Sequence, residues 1–340
     1  PAEPVARPHS AFDRGRRSIA VDLKSAEGVE VVLRLAESAD AFLEAFRPGV
    51  AERLGVGPDD VLGRNPKAVY ARLTGWGQDG PMAQTAGHSL NYEAVTGVIH
   101  AIGRPELPPS TTLTLLGDFA GGGLSLAYGV VCALLEARRS GRGQVIDVAM
   151  VDGVASLASV FYSMASSGMW KAERGANLFD GGAPFYAVYE CADGRSLSVA
   201  PIEPHFYALL LEGLGLAGED LPDQYDRDRW PELRARIAEA VATRPLDEWL
   251  AVFDGSDACV APVLDFREAM DHPQLAARGL FQDGRPEVVP VPRLSGTPGR
   301  PDTSAAWPGA DTDAVLAEAG FTTDELTRLR EVGAIAGGDL

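Results

Sequence analysis

Cysteine is scarce. The 340 residues hold three, Cys132, Cys191 and Cys259, far apart and in no CxxC pair. That spacing argues against a disulfide framework and a thiolate zinc site, so the expected compartment is a reducing one, the cytoplasm, and no metal is expected. Positive charge is also short: 30 Lys+Arg stand against 48 Asp+Glu, a formal net charge of -18. A nucleic-acid partner and an anionic membrane surface are therefore not expected, because either would demand a basic excess. Long apolar runs are lacking too. The most apolar stretch, 124–135, has 12 residues. It falls below the roughly 20 that cross a bilayer and is expected to pack inside a domain. The opening residues show no apolar core of a secretory signal, and the final GGDL is not an SKL-type address. GxxxxGK[ST], GxSxG and HExxH are absent, which removes the commonest phosphate-loop, serine-hydrolase and zincin signatures.

What is present is an ordinary globular composition, 46% hydrophobic and 23% charged, of a length that suits two domains. Residues 1–17, with three Pro and four Arg, read as a loop. Strands are expected over 18–23, 41–46, 68–74 and 144–150. They alternate with helical segments at 26–37 (capped by Ser25), from 58, over 88–100, over 120–138 and over 154–164. That alternation predicts a parallel α/β sheet, the core of a Rossmann-like layer over 1–150. The texture then changes. A hairpin is expected over 185–191 and 195–200 around Gly194, then helices over 204–213, 231–243 and 246–253, making a smaller α+β unit. A Pro- and Gly-rich crossing spans 282–308, and a last amphipathic helix 323–332.

Several residues carry possible chemistry. Gly75-Trp76-Gly77-Gln78-Asp79-Gly80 is a literal GxGxxG after a strand, but Pro81 follows at once. The acidic residue a dinucleotide site needs about 20 positions on could only be Glu93, inside a helical stretch. A tight loop is the better reading. His88, at a helix start, is most often a structural hydrogen-bonder, yet histidine is the side chain best suited to move protons near neutrality. Asp118 could be a plain N-cap. The three glycines at 121–123 are harder to explain that way, since each costs about 1 kcal/mol in a helix interior. They fit a close approach by a ligand or another backbone. Glu203, before Pro204, reads by itself as first-turn charge. Arg14, Arg16, Arg17, Arg47, Arg53 and Arg72 are candidates for an anion cradle.

Together these segments resemble the family III CoA-transferase superfamily and, within it, the α-methylacyl-CoA racemases. The matching stretches run in order: Val21-Asp22-Leu23-Lys24-Ser25, Phe46-Arg47-Pro48-Gly49-Val50, Arg53-Leu54-Gly55, Leu73 to Gln78, Gly87-His88…Asn91-Tyr92, His100 to Arg104, Gly117-Asp118-Phe119 with the glycine run, and Gly143 to Asp147. Arg174 to Asn177, Asp180 to Pro184 and Ile202-Glu203-Pro204 extend the match. The resemblance implies an α/β fold with a Rossmann-like large domain and a small α+β domain, in an interlocked homodimer. The expected boundaries are 1–148 for the large CoA-binding domain, without the family's opening β-α-β unit, 149–187 for a linker, 188–272 for the small domain, 273–310 for a return linker, and 311–340 for a C-terminal helical segment on the large domain.

It also implies a role for each site residue. His88 and Asp118 would be the two acid/base groups, with Glu203 of the other chain supporting the histidine. Val21, Asp22, Leu23, Lys24, Ala45, Phe46, Arg47 and Arg53 would line the nucleotide end of CoA, and Gly87, Ser89, Leu90, Asn91 and Tyr92 the thioester end. The chemistry agrees with these residue types. Inverting a carbon beside a thioester needs two bases flanking it, one protonated while the other is not. A carboxylate beside His88 favours its imidazolium form, a part that suits Glu203, and Asp118 exchanges its proton most readily if partly desolvated. Helix-start N–H groups are expected to meet the enolate oxygen. No cofactor is needed beyond the CoA carried by the acyl-CoA substrate. The same resemblance leaves open a CoA-transferase in which Asp118 is the nucleophile, and a non-catalytic CoA-binding homologue. The family's GHD-I-NY is here Gly87-His88-Ser89-Leu90-Asn91-Tyr92, and its PLNLV is Thr112-Leu113-Thr114-Leu115-Leu116. Both departures are expected to bear on acyl preference more than on proton chemistry.

Overall fold

The computed structural model describes residues 12–281, 287–300 and 306–337. Residues 1–11 of the expected opening loop, and 282–286 and 301–305 of the expected crossing, lie outside the described residues. The strands in chain order are β1 Ala20–Val21, β2 Ala41–Glu44, β3 Val69–Thr74, β4 Gln144–Ala149, β5 Ala187–Glu190, β6 Ser196–Val199, β7 Val260–Val263 and β8 Ile335–Ala336. The chain divides into two compact units. One takes the described parts of Pro1–Gly87, Asp118–Gly153 and Pro273–Leu340, the other His88–Gly117 and Val154–His272.

The first unit is built on a parallel sheet in the order β2-β3-β4, with Ala41 opposite Val69 and Val69 opposite Gln144. Central β3 is an apolar run, and Val69, Tyr70 and Ala71 are wholly buried, as a parallel strand covered on both faces requires. Helix Ala26–Ala36 starts where Ser25 Oγ accepts the Gly28 N–H at 3.0 Å. Helix Pro58–Arg64 starts on a proline at its first position. Ala36, Val61 and Tyr70 close one core between them, and the Tyr70 hydroxyl donates to Val56 O at 2.9 Å. Helices Thr312–Glu318 and Thr323–Glu331 pack a second core of Leu316, Phe321, Leu326 and Leu329 around Val31.

The strand expected over 18–23 is not part of that parallel sheet. Only Ala20–Val21 is extended, and β1 pairs antiparallel with the distant β8, Val21 opposite Ile335. Asp22 N–H donates to Ala334 O at 2.9 Å and continues the pairing. The expected helix over 88–100 breaks in two, Ser89–Val95 and Val98–Ala101, at Gly97, whose φ of 80° no right-handed helix admits.

In the second unit β5, β6 and β7 form an antiparallel sheet, Ala187 opposite Val199 and Val199 opposite Val260. Gly194, at φ 78°, makes the hairpin turn. Helices Pro204–Gly213, Trp230–Val241 and Leu246–Phe253 bury Leu210, Leu233, Ile237 and Trp249 against Phe185 and Leu197. Strand β7 was not expected from the sequence. It carries Pro262, which the ladder tolerates because β7 is an edge strand. Segments 88–117 and 154–187 belong to this unit. Arg174 holds them together by donating to the carbonyls of Arg104, His100 and Leu107 at 2.8–3.1 Å, and Tyr162 OH donates to Thr96 O at 2.7 Å. Residues 149–187 therefore carry more than a crossing: helices Met150–Leu157 and Ser159–Ser166 lie within them.

Candidate active site

His88 is the N-cap of helix Ser89–Val95, with extended backbone at φ -132°, ψ 171°. Asn91 Oδ1 accepts its N–H at 3.0 Å and its carbonyl accepts the Asn91 N–H at 2.7 Å. The backbone is thereby satisfied at the helix start, and the imidazole stands on an exposed residue. The helix has two faces. Ser89, Tyr92, Glu93 and Thr96, at helical spacing, are buried, while Leu90 and Asn91 are exposed beside His88. Of the residues expected at the thioester end, Ser89 is turned inward, its hydroxyl on Glu93.

Glu93, which the sequence offered only as the acidic residue of a rejected dinucleotide site, is 1% exposed. Ser89 Oγ donates to its Oε1 at 2.8 Å and Gly117 N–H to the same oxygen at 2.9 Å. Thr112 Oγ1 donates to its Oε2. Burying a lone carboxylate costs several kcal/mol unless donors meet it, and here three neutral donors do. Leu113 and Thr114, between those donors, have φ of 58° and 62°. Left-handed backbone costs a non-glycine residue roughly 1–2 kcal/mol, and a β-branched threonine is a true outlier there. Gly117 has no room for a side chain: a Cβ would stand 2.3 Å from Ser89 Oγ and 3.0 Å from Glu93 Oε1.

That turn leads into a π-helical stretch, Leu115–Leu124. Asp118 is its fourth residue and half-buried, so the N-cap reading of Asp118 is corrected: the helix begins three residues earlier. π-Turns are rare and gather at functional sites. The helix-start N–H groups of Leu115 and Gly117, candidates for the enolate oxygen, are taken by Thr112 O at 3.1 Å and Glu93 Oε1. Close backbone approach requires glycine at position 153, whereas a Cβ on Gly123 would meet only Asp118 O at an ordinary 3.5 Å. A Cβ on Gly153 would come within 2.0 Å of Gly121 O, so helix Met150–Leu157 begins in direct backbone contact with the π-turn.

The π-turn continues as helix Ser125–Ser140. Ala133 and Ala137 are buried, and Gly129 lies against Ile146 of β4. The opposite stripe, Leu124, Tyr128, Val131 and Leu135, is 57–72% exposed. The expectation that 124–135 packs inside a domain is thus corrected. By length and composition the whole helix, Leu115–Ser140, is apolar enough to cross a membrane. One face is instead committed to a sheet, whose edge strand β4 leaves Val145 exposed.

The residues expected at the nucleotide end all lie in the first unit. Val21 and Leu23 are half-buried, while Asp22, Lys24, Ala45, Phe46, Arg47 and Arg53 are exposed. Arg72 leaves the proposed anion cradle. It is buried on Glu44 at 3.0 Å and Glu52 at 2.9 Å. Glu44 Oε2 also accepts the Phe46 N–H at 2.6 Å, which ties the 45–47 loop to this pair. Burial raises the Glu52 carboxyl, but the Arg72 guanidinium more than offsets it and leaves the group below its ordinary value. Arg17 is held by Glu318 and Arg14 donates to Val288 O, whereas Arg47 and Arg53 form no salt bridge among the described residues. GxGxxG is a loop: Gly77 and Gly80 are left-handed, and Thr74 Oγ1 accepts the Gly77 N–H at 2.9 Å.

Glu203 is the exposed N-cap of helix Pro204–Gly213. The preceding Ile202 carbonyl is held by Tyr225 OH at 2.6 Å and Gln224 Nε2 at 2.9 Å. Burial, then Glu203 and Asp257, push the Cys259 thiol up. An apolar cavity of about 430 Å³ lies within the second unit, lined among others by Thr96, Val98, Leu116, Ala158, Phe161 and Trp170. Among the described residues no three His, Cys, Asp or Glu side chains gather as a metal-ligand set.

Comparison with known proteins follows the same lines. The description of CoA-transferase family III matches residues 4–313. Alpha-methylacyl-CoA racemase of Mus musculus is 48% identical over 93% of this chain and 84% of its own length. That of Homo sapiens is 44% identical over 96% and 87%. Among solved structures, a CAIB/BAIF family protein from Brucella suis shares the fold with a TM-score of 0.79 at 24% identity, over 92% of this chain and 83% of that one. Rv3272 from Mycobacterium tuberculosis, orthorhombic form, gives 0.75 at 27% identity over 89% and 84%. A family match over nearly the whole chain, with two relatives at 48% and 44% identity, places this chain in CoA-transferase family III.

Proposed function

We propose that the chain is a racemase that interconverts (2R)- and (2S)-2-methylacyl-CoA thioesters by two-base proton transfer through an enolate. His88 and Asp118 are the bases. One takes the C2 proton as the electron pair moves toward the thioester oxygen, and the other returns a proton to the opposite face. The observation that carries this reading is the Glu93 anchor. It fixes the residue before Asp118 to the helix that begins at His88, and a hydrogen-bonding histidine of purely structural use would not need it. The exposure of His88 and partial burial of Asp118 suit groups that exchange protons with a ligand. The likeness to the two racemases supports the substrate class.

CoA enters with the substrate, its nucleotide end at Val21 to Lys24, Ala45 to Arg47 and Arg53, and the step uses no metal or redox cofactor. A second copy of the chain covers the exposed stripe of helix Ser125–Ser140 and supplies Glu203 to His88. A helix packed on a sheet by one face needs cover for 57–72% exposed Leu124, Tyr128, Val131 and Leu135 more than it fits lipid on all sides. The dispersed free cysteines suit the reducing cytoplasm.

The test is incubation of one 2-methylacyl-CoA epimer in D2O. Deuterium enters at C2 as the other epimer accumulates, and His88→Ala slows this by about 100-fold or more. Unaltered exchange in that variant overturns the two-base scheme. Ping-pong transfer of CoA onto free carboxylates, without exchange, would identify a transferase with Asp118 as nucleophile.

A further inference from the structure

We infer that Glu93 is a positioning residue, whose buried carboxylate sets the register between the helix that begins at His88 and the turn that leads into Asp118. The inference rests on the racemase reading and deepens it. Glu93 lies five residues after His88 in the same short helix. Its two oxygens reach back to Ser89, next to His88, and across to Thr112 and Gly117, the last residue before Asp118. All of these contacts lie inside one compact unit.

Three features say that the anchor is specific and does more than fill space. Three groups able to donate, two hydroxyls and a backbone N–H, meet the two carboxyl oxygens of Glu93 at once. The turn it clamps holds two successive left-handed non-glycine residues, Leu113 and Thr114, a conformation that persists only where the surroundings impose it. Gly117 leaves no space for any side chain between Ser89 and Glu93, so the π-turn sits as close to the helix as backbone permits. An apolar side chain would pack this site without a buried charge, but it would not fix the angle at which Asp118 leaves the turn. Glu93 touches neither reacting atom in this scheme. It acts through His88 and Asp118.

Glu93→Gln tests this. The amide keeps the shape but loses one accepting oxygen, so the Thr112 hydroxyl keeps its contact only by reversing to accept, and the direction of that leg changes. C2 deuterium exchange is measured with one epimer in D2O, on the full chain, for wild type, Glu93→Gln, His88→Ala and the double variant. We expect kcat to fall about 10- to 100-fold in Glu93→Gln, the scale of a misplaced catalytic group, with KM for the acyl-CoA within about twofold. In the His88→Ala background the same change is expected to lower the residual exchange by less than about twofold. Thr112→Val removes one donor and leaves the carboxylate in place. It is expected to lower kcat about three- to tenfold, and it carries the test if Glu93→Gln does not fold. A wild-type kcat in both variants overturns the inference, as does an equal loss with and without His88. A wild-type chain that exchanges no deuterium overturns the racemase reading itself, and the inference with it.

Discussion

Replacing Arg72 with methionine strands the Glu44 carboxylate, whose side chain is 2% exposed and which, among the described residues, keeps the Phe46 N–H as its donor. Breaking a buried pair in this way costs roughly 3–5 kcal/mol. Loss of the Glu52 pair adds little, because Glu52 is 44% exposed. Arg72→Met is therefore expected to destabilise the first unit by about 3–5 kcal/mol, read from urea melts of the variant and the wild type. Because Glu44 fixes the 45–47 loop, KM for acyl-CoA is expected to rise about tenfold or more with kcat little changed. A loss below about 1 kcal/mol would refute the idea that this pair is buried and mutually dependent.

Thr114→Gly removes one left-handed strain of about 1–2 kcal/mol and adds a glycine entropy cost of about 0.5–1 kcal/mol. The urea midpoint is expected to hold or rise, and a drop worth more than about 1 kcal/mol would show that the Thr114 side chain itself stabilises the turn. Cys259, its thiol pushed up by burial, Glu203 and Asp257, is expected to alkylate at pH 8 more slowly than a free cysteine. Glu203→Gln should speed it, read by peptide mass spectrometry, and no change in rate would place Glu203 out of range. Val131→Glu with Leu135→Glu puts two charges on the exposed stripe, so on the proposed pairing sedimentation is expected to show a dimer for the wild type and a monomer for the variant. A double variant still dimeric would place the interface elsewhere.

Local chemistry made much of the fold legible. Ser25 marks the start of helix Ala26–Ala36, Pro204 that of Pro204–Gly213, and Gly194 the hairpin, because caps and turns depend on a few neighbouring residues. The family resemblance rested on similar short runs. Strand β1 could not be placed in this way. So short a strand carries almost no period, and its partner, β8, lies far along the chain at Ile335–Ala336. The π-turn escaped for a related reason: its sequence reads as helix whichever carbonyl each N–H meets.

Glu93 shows where reading by residue type stops. A glutamate on a short helix is ordinarily a solvated charge, and nothing adjacent says otherwise. Its burial depends on Thr112 and Gly117, 19 and 24 positions on, folding back over it. The sequence by itself determined which residue types could do proton chemistry and which local elements carry them. Only the tertiary structure decided which charges are paired and buried, Arg72 with Glu44 and Glu93 with its three donors. Desolvation and hydrogen-bond geometry are properties of the folded surroundings, and no single residue possesses them alone.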